Sequence, residues 1–227
     1  MKRELDYRSD MKVFKVLNNY AGLGGNRKRW AKKILINGEW YVVKVTAVEL
    51  NPVIAKIYQD FFPDDDVIVG DAAEYLAKHY DEFDFIWASP PCQSHSVLNH
   101  INNVAAWQKH NRRLPDMILY SEILYLQHFF KGDWVVENVK PYYKPLIPPS
   151  FCLGRHYFWS NRFLLTENIK KFKNFENIKT KEFAEMHGFD LKRYKLDSYF
   201  ERQILRNCVY PEIGKYIFDK ILDVGLE

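Results

Sequence analysis

Cys92 follows Pro90-Pro91 at the end of the apolar run Phe83-Asp84-Phe85-Ile86-Trp87-Ala88. A strand that ends in a tight proline turn projects its next side chain into the crevice where open α/β sheets bind ligands. A thiolate placed there is a strong nucleophile. A free thiol is mostly protonated at neutral pH, so it needs a helix N-terminus, a cation or substrate-coupled proton transfer. Two other apolar runs also end in residues suited to chemistry. Trp134-Val135-Val136 leads into Glu137-Asn138-Val139, which offers a carboxylate. Residues 13–17 lead into Asn18-Asn19-Tyr20-Ala21-Gly22-Leu23-Gly24-Gly25, a turn whose glycines let backbone approach a ligand closely. The glycine spacing departs from a dinucleotide fingerprint, because Arg27 stands where the third glycine belongs. That disfavours a nicotinamide-dependent oxidoreductase. From these residues alone, a bland reading stays open: Cys92 as a buried apolar cysteine and Glu137 as a surface residue.

The elements that must position these groups alternate along the chain. Residues 13–17 read as a first strand. Residues 26–35 carry Trp30, Ala31, Ile34 and Leu35 at helical spacing, which predicts a helix. Residues 41–48 predict a second strand ending at Glu49, and Pro52 opens a helix with Ile54, Ala55, Ile57 and Tyr58. Residues 67–69 predict a short strand ending at Gly70-Asp71, followed by a helix over 72–79. Residues 117–130 predict a helix leading to the Glu137 strand. Strands alternating with helices imply an α/β fold, a doubly wound parallel sheet with helices on both faces. Glu49 then sits at a strand end, where an acid can accept ribose hydroxyls.

Residues 93–113 are polar and without clear periodicity, and a loop of that length in a compact domain points to function. Residues 166–200 are rich in lysine, with Phe172, Phe175, Phe183, Phe189 and Tyr194 interleaved. Basic groups can meet phosphates, and aromatics can pack or stack. A solvated face is the plainer reading of such a run. Residues 201–222 read as a closing helical element.

The bulk properties permit this reading without demanding it. The 227 residues suit one domain with a small appendage, and 47% hydrophobic content supports a sizeable core. A formal charge of +4 is compatible with nucleic acid but common among other enzymes. Cys92, Cys152 and Cys208 have no paired spacing, which argues against a disulfide framework or a zinc site. No apolar run reaches the ~18 residues of a membrane span. The charged start Met1-Lys2-Arg3-Glu4-Leu5-Asp6 is unlike a signal peptide. The expectation is a soluble cytoplasmic protein with no membrane partner.

In this order, the three strand-end sets resemble the cytosine-5 DNA methyltransferase family over most of the chain. Residues 18–25 resemble the first cofactor motif, with Tyr20 where phenylalanine is usual. Pro90-Pro91-Cys92-Gln93 resembles the nucleophile motif, and Glu137-Asn138-Val139 the second catalytic motif. Arg206-Asn207-Cys208-Val209-Tyr210-Pro211 is similar to the last motif, with Arg206 replacing its glycine. Gly154-Arg155-His156-Tyr157-Phe158 resembles the arginine motif, which usually holds two arginines two apart. Aligned on Tyr157, the partner position is Leu153, so one cation is missing.

The resemblance implies a Rossmann-like class I fold with S-adenosylmethionine as cofactor and DNA as partner. Residues 1–160 would form the catalytic and cofactor-binding domain, 161–200 a short target-recognition insert and 201–227 a returning element. It implies catalytic roles for Cys92, Glu137 and Arg155. Cofactor contacts fall on Asn18, Tyr20, Gly22, Gly24, Glu49, Leu50, Asp71, Ala72, Pro91 and Asn207, with Asp71 near adenine. Substrate contacts fall on Gln93, Ser94, His95, Ser96, Asn138, Lys170, Lys171 and Lys173. No metal is implied, and a partner subunit for target recognition is allowed by the short insert. The target atom is inaccessible in a stacked duplex, so the base must be extruded or already unpaired. The alternatives are the same chemistry on RNA, whose loops already expose bases, and a catalytically silent nucleic-acid-binding module.

Overall fold

The computed structural model describes residues 11–97, 114–164 and 179–223. Eight strands form one mixed, mostly parallel sheet: β1 (Lys12–Asn19), β2 (Lys33–Ile36), β3 (Glu39–Glu49), β4 (Asp66–Val69), β5 (Phe85–Ala88), β6 (Asp133–Val139), β7 (Phe151–Leu153) and β8 (His156–Ser160). The order is β2-β3-β1-β5-β6-β8-β7, and β4 pairs with the C-terminal part of β3. β4, β3, β1, β5 and β6 run parallel, whereas β2 and the β7–β8 hairpin pair antiparallel to their neighbours. Strand order reverses between β1 and β5, the topological switch where open α/β sheets bind ligands.

The described helices are α1 (Pro52–Phe61), α2 (Ala72–His79), α3 (Ile118–Phe129), α4 (Thr180–His187), α5 (Ser198–Arg206) and α6 (Pro211–Ile221). Side-chain alternation divides the core into two faces. Val16, Val45, Phe85, Trp87, Val135 and Phe158 pack with Trp30 and the α6 residues Ile217 and Phe218. The intervening positions Leu17, Val48, Ile86, Ala88, Val136 and Trp159 pack with Leu76 of α2 and Leu119, Ile123 and Leu126 of α3. The sheet is therefore covered on both sides, as the alternating pattern predicts.

The helix predicted over residues 26–35 is absent. Arg27–Arg29 make a single 3₁₀ turn, and Lys33–Ile36 pair antiparallel with Glu39–Val42. The cause is Asn37-Gly38, both in the left-handed region with φ of 51° and 80°. That pair turns the chain back as a two-residue hairpin. Trp30 and Ile34 are buried as the helical pattern required, but they reach the core from a turn and a strand.

The described part of the segment 166–200, residues 179–200, contributes to the core. Phe183, Phe189 and Leu191 are buried with Ile57, Tyr58 and Phe62 around α1. The Phe61 and Phe189 rings meet edge to face at 4.9 Å. The ammonium of Lys28 lies 4.7 and 4.5 Å from those two ring centres. Phe183 and Phe189 are thus packing residues, unavailable to stack on bases. Lys170, Lys171 and Lys173 lie outside the described residues, as do positions 98–113 of the polar loop.

Candidate active site

The glycine turn after β1 is held from beneath by a buried polar network. Asn26 donates to Asn18 Oδ1 at 2.8 Å, and Asn18 Nδ2 lies 3.4 Å from the Tyr58 hydroxyl. Tyr58 donates to Asp65 at 2.9 Å, and Arg27 grips the same carboxylate through two 3.0 Å hydrogen bonds. A Cβ on Gly24 would strike the Tyr58 and Phe62 rings, and one on Gly25 would come within 2.3 Å of the Val209 carbonyl. The glycine turn and the Asn207-Cys208-Val209 segment, far apart in sequence, are therefore pressed together. Asn18 is 1% exposed and turned into this network, so it supports the turn from inside.

Gly22, with φ of 54°, has open space where a side chain would stand. Its N–H donates to Glu49 Oε2 at 3.0 Å, and Asn51 N–H donates to Oε1 at 2.9 Å. Glu49 thereby ties the end of β3 to the turn after β1. Leu50 is 68% exposed beside it, and Val69 of β4, opposite Glu49, is 56% exposed. Asp71 accepts from Glu74 N–H at 3.0 Å and caps α2. Ala72 is buried, and its carbonyl accepts from Asn19 Nδ2 at 3.0 Å. Tyr20, itself left-handed at φ 56°, donates to Glu122 of α3 at 2.5 Å. Glu122 was not anticipated from sequence. Burial raises its carboxyl to about 7, and its second oxygen, like Asn19 Oδ1, has no hydrogen-bond partner among the described residues. The crevice thus offers a backbone cradle, a carboxylate at a strand end and exposed apolar edges, which suit an adenosine-bearing ligand.

The second cluster lies across β5, β6 and β8. Asn138 Nδ2 donates to the Pro90 carbonyl at 2.9 Å, and its Oδ1 accepts from Val139 N–H at 3.0 Å. Asn138 is 1% exposed and fastens the proline turn to β6. His95 is likewise inside: its Nδ1 meets the Tyr143 hydroxyl at 2.5 Å, and its carbonyl accepts from Tyr142 N–H. It anchors the loop after Cys92. Ser94 Oγ accepts from Asp116 N–H at 2.9 Å, and Ser96 bridges to Pro141. Gln93 is half-buried, and Pro91 and Asn207 are exposed.

Cys92 is half-buried, and its thiol is pushed up to about 11 by desolvation and then by the nearby Glu137 charge, against the pull of Arg155. Glu137 is 6% exposed and raised to about 7, chiefly by burial; a Ser89 hydrogen bond and Arg155 oppose that rise. Arg155, in the β7–β8 turn, donates to the Arg206 carbonyl at 2.5 Å, linking this cluster to the end of α5. His156 is buried, with Nε2 3.5 Å from Glu137 Oε1. Burial, with Arg155 and Lys140 nearby, holds its imidazole well below the usual histidine range, hence neutral. Sequence reasoning missed Ser89 and His156; their places in the two motifs were the available signal. The arrangement sets a protonated nucleophile beside an acid that is partly protonated at neutral pH.

A family model of C-5 cytosine-specific DNA methylases matches residues 14–141. That is more than half of the chain and includes the glycine turn, Glu49, Asp71, Cys92 and Glu137. No curated protein matches. Solved structures similar to the chain include a conserved hypothetical protein of Streptococcus pyogenes, at 16% identity and TM-score 0.38, covering 66% of this chain and 86% of that one. The Entamoeba histolytica methyltransferase EhMeth is 20% identical with TM-score 0.36, covering 57% and 39%. A mutant DNMT2 of Spodoptera frugiperda is 22% identical with TM-score 0.36, covering 58% and 36%. The chain thus spans well under half of those two methyltransferases. The family match rests on the motifs themselves: the chain belongs to the C-5 cytosine-specific DNA methylase family, whose methyl donor is S-adenosylmethionine.

Proposed function

We propose that this protein methylates C5 of cytosine in DNA through a covalent bond between Cys92 and C6 of an extruded base. The observation that supports the reading is that Cys92, in the turn that follows β5, and Glu137, in the C-terminal part of the adjacent parallel strand β6, come from segments joined by the Asn138–Pro90 hydrogen bond. C5 of cytosine is not nucleophilic by itself. Addition of the Cys92 sulfur at C6 makes C5 enamine-like, and the charge that develops on the ring must be neutralised. Glu137, raised to about 7, is an acid able to give its proton to N3. The Cys92 thiol, raised to about 11, must lose its proton as the base arrives. S-adenosylmethionine, when bound, supplies the electrophilic methyl group. Loss of the C5 proton and expulsion of the Cys92 thiolate then restore the aromatic ring.

Glu49, Leu50 and Asp71 would hold the adenosine part of the cofactor, with the turn at Tyr20, Gly22 and Gly24 beside it. Lys170, Lys171 and Lys173, in the 161–200 insert, would meet phosphates and Gln93 the target base. Arg155 would favour the ionised forms of both reacting groups. The test is methyl transfer to duplex DNA, single-stranded DNA and RNA, with analysis of the product base. The expected product is 5-methylcytosine in DNA. Methylation confined to RNA, or binding of DNA without transfer, would overturn the reading.

A further inference from the structure

The motif that usually holds two arginines keeps Arg155 alone here, and the next residue, His156, meets one flank of the Glu137 carboxyl. Val139 pairs with His156 and Glu137 with Phe158, so Glu137 and His156 lie diagonally on one face of the β6–β8 pair. Their polar atoms are 3.5 Å apart and both side chains are 8% exposed. His156 Nδ1 has no hydrogen-bond partner among the described residues.

On the other flank stands Ser89. Trp87 pairs with Val135 and Ala88 with Val136, so the next residue, Ser89, comes level with Glu137. Trp87 Nε1–H donates to Ser89 Oγ at 2.9 Å. With its oxygen engaged as acceptor, the Ser89 hydroxyl is free to give its own proton to Glu137, in agreement with their hydrogen bond.

We propose that Ser89 and His156 are positioning residues that hold the Glu137 carboxyl between them, Ser89 by donating to one carboxyl oxygen and His156 by filling the opposite flank with its imidazole. The inference rests on the proposed reaction, in which Glu137 gives a proton to the base. A cation in the place of His156 would ionise the carboxyl and remove that proton. The charged groups acting on the pair are Arg155 and Lys140, and the neighbouring titratable group is Cys92, a neutral thiol. Burial, with Arg155 and Lys140 nearby, keeps His156 uncharged, and burial also raises the Glu137 carboxyl so that it is partly protonated at neutral pH.

Two variants should move the alkaline limb of the rate in opposite directions. His156→Arg brings a cation to the carboxyl and should shift the limb toward acid by about one pH unit, lowering the rate above the limb roughly tenfold. Ser89→Ala removes a donor that favours the carboxylate and should shift the limb toward alkali. Equal losses in both variants with an unmoved limb would show a merely structural role and overturn the proposal. A readout independent of turnover and of variant folding is NMR titration of the wild-type protein with labelled histidine and glutamate side chains. His156 should stay neutral through the ordinary histidine range, and Glu137 should titrate near neutrality. Titration of His156 in the ordinary histidine range would overturn the proposal. Failure to form 5-methylcytosine would refute the proposed reaction instead and leave these titrations to decide the pair.

Discussion

The network beneath the glycine turn and the Glu137 cluster are both built on buried polar groups, and they treat them in opposite ways. Beneath the turn, Asn18, Asn26, Arg27, Tyr58 and Asp65 form one connected network, and none of its buried side-chain polar atoms is left without a partner. Around Glu137 the acid is held close to its point of half-protonation, and His156 keeps an unpartnered nitrogen. A satisfied network fixes backbone, because every member loses by moving. A partly satisfied one leaves a proton free to be given away. The first region can serve as a rigid cradle, and the second has the properties of a site that reacts.

The largest effect expected from breaking this contrast is in the network. Asp65→Ala strands the Arg27 guanidinium, only 8% exposed, in the core. Loss of one partner of a buried ion pair costs about 3–5 kcal/mol. Urea denaturation should show a drop of that order, and a drop below about 1 kcal/mol would mean water reaches Arg27 freely.

Glu137→Gln should do the reverse. The folded carboxyl is raised from the model-compound value of 4.5 to about 7, so between those values the native state binds more protons than the unfolded state. Wild-type stability therefore falls as pH rises through that window, and it is fully present only below it. The variant lacks this penalty. It should be the more stable protein above pH 7 by roughly 2–3 kcal/mol, with the difference fading toward pH 4.5 and methyl transfer abolished. Paired denaturation curves at pH 5 and pH 8 read the sign directly.

Glu49 links the regions, since its carboxylate fastens the Gly22 turn while standing at the mouth of the crevice. Glu49→Ala should weaken S-adenosylmethionine binding by about 1.5–3 kcal/mol, measured by isothermal titration. Unchanged affinity would confine Glu49 to holding the turn. The smallest effect expected is from Tyr20→Phe, which takes the hydroxyl away from Glu122. A carboxyl already raised to about 7 can stay protonated, so the loss should be about 1 kcal/mol below pH 7 and greater above it.

The strand ends were legible because short apolar runs stop abruptly at Asn18, Glu49, Asp71, Ser89 and Glu137, and a parallel sheet brings such ends to one edge. Where side chains turn at those ends was not legible. Asn18 and Asn138 stand in motifs that suggest ligand contact, yet each finds its partner inside the protein, at Tyr58 and at Pro90, 40 and 48 residues away in sequence. His95 bonds to Tyr143, also 48 residues away. A motif fixes position along a strand, whereas orientation is settled by complementary groups that only the folded sheet brings near. The hairpin at Asn37-Gly38 was within reach of the sequence. There the helical spacing of Trp30 and Ile34 masked a turn pair whose left-handed geometry decides the local fold.

The central claim is that Cys92 bonds to the cytosine ring. DNA carrying 5-fluorocytosine tests it most directly, because fluorine at C5 cannot leave as a proton and the adduct is trapped. Incubated with such DNA and S-adenosylmethionine, the protein should form a denaturation-resistant complex, and peptide mapping should place the DNA on Cys92. Absence of any complex, or a complex that persists in Cys92→Ser, would contradict the account.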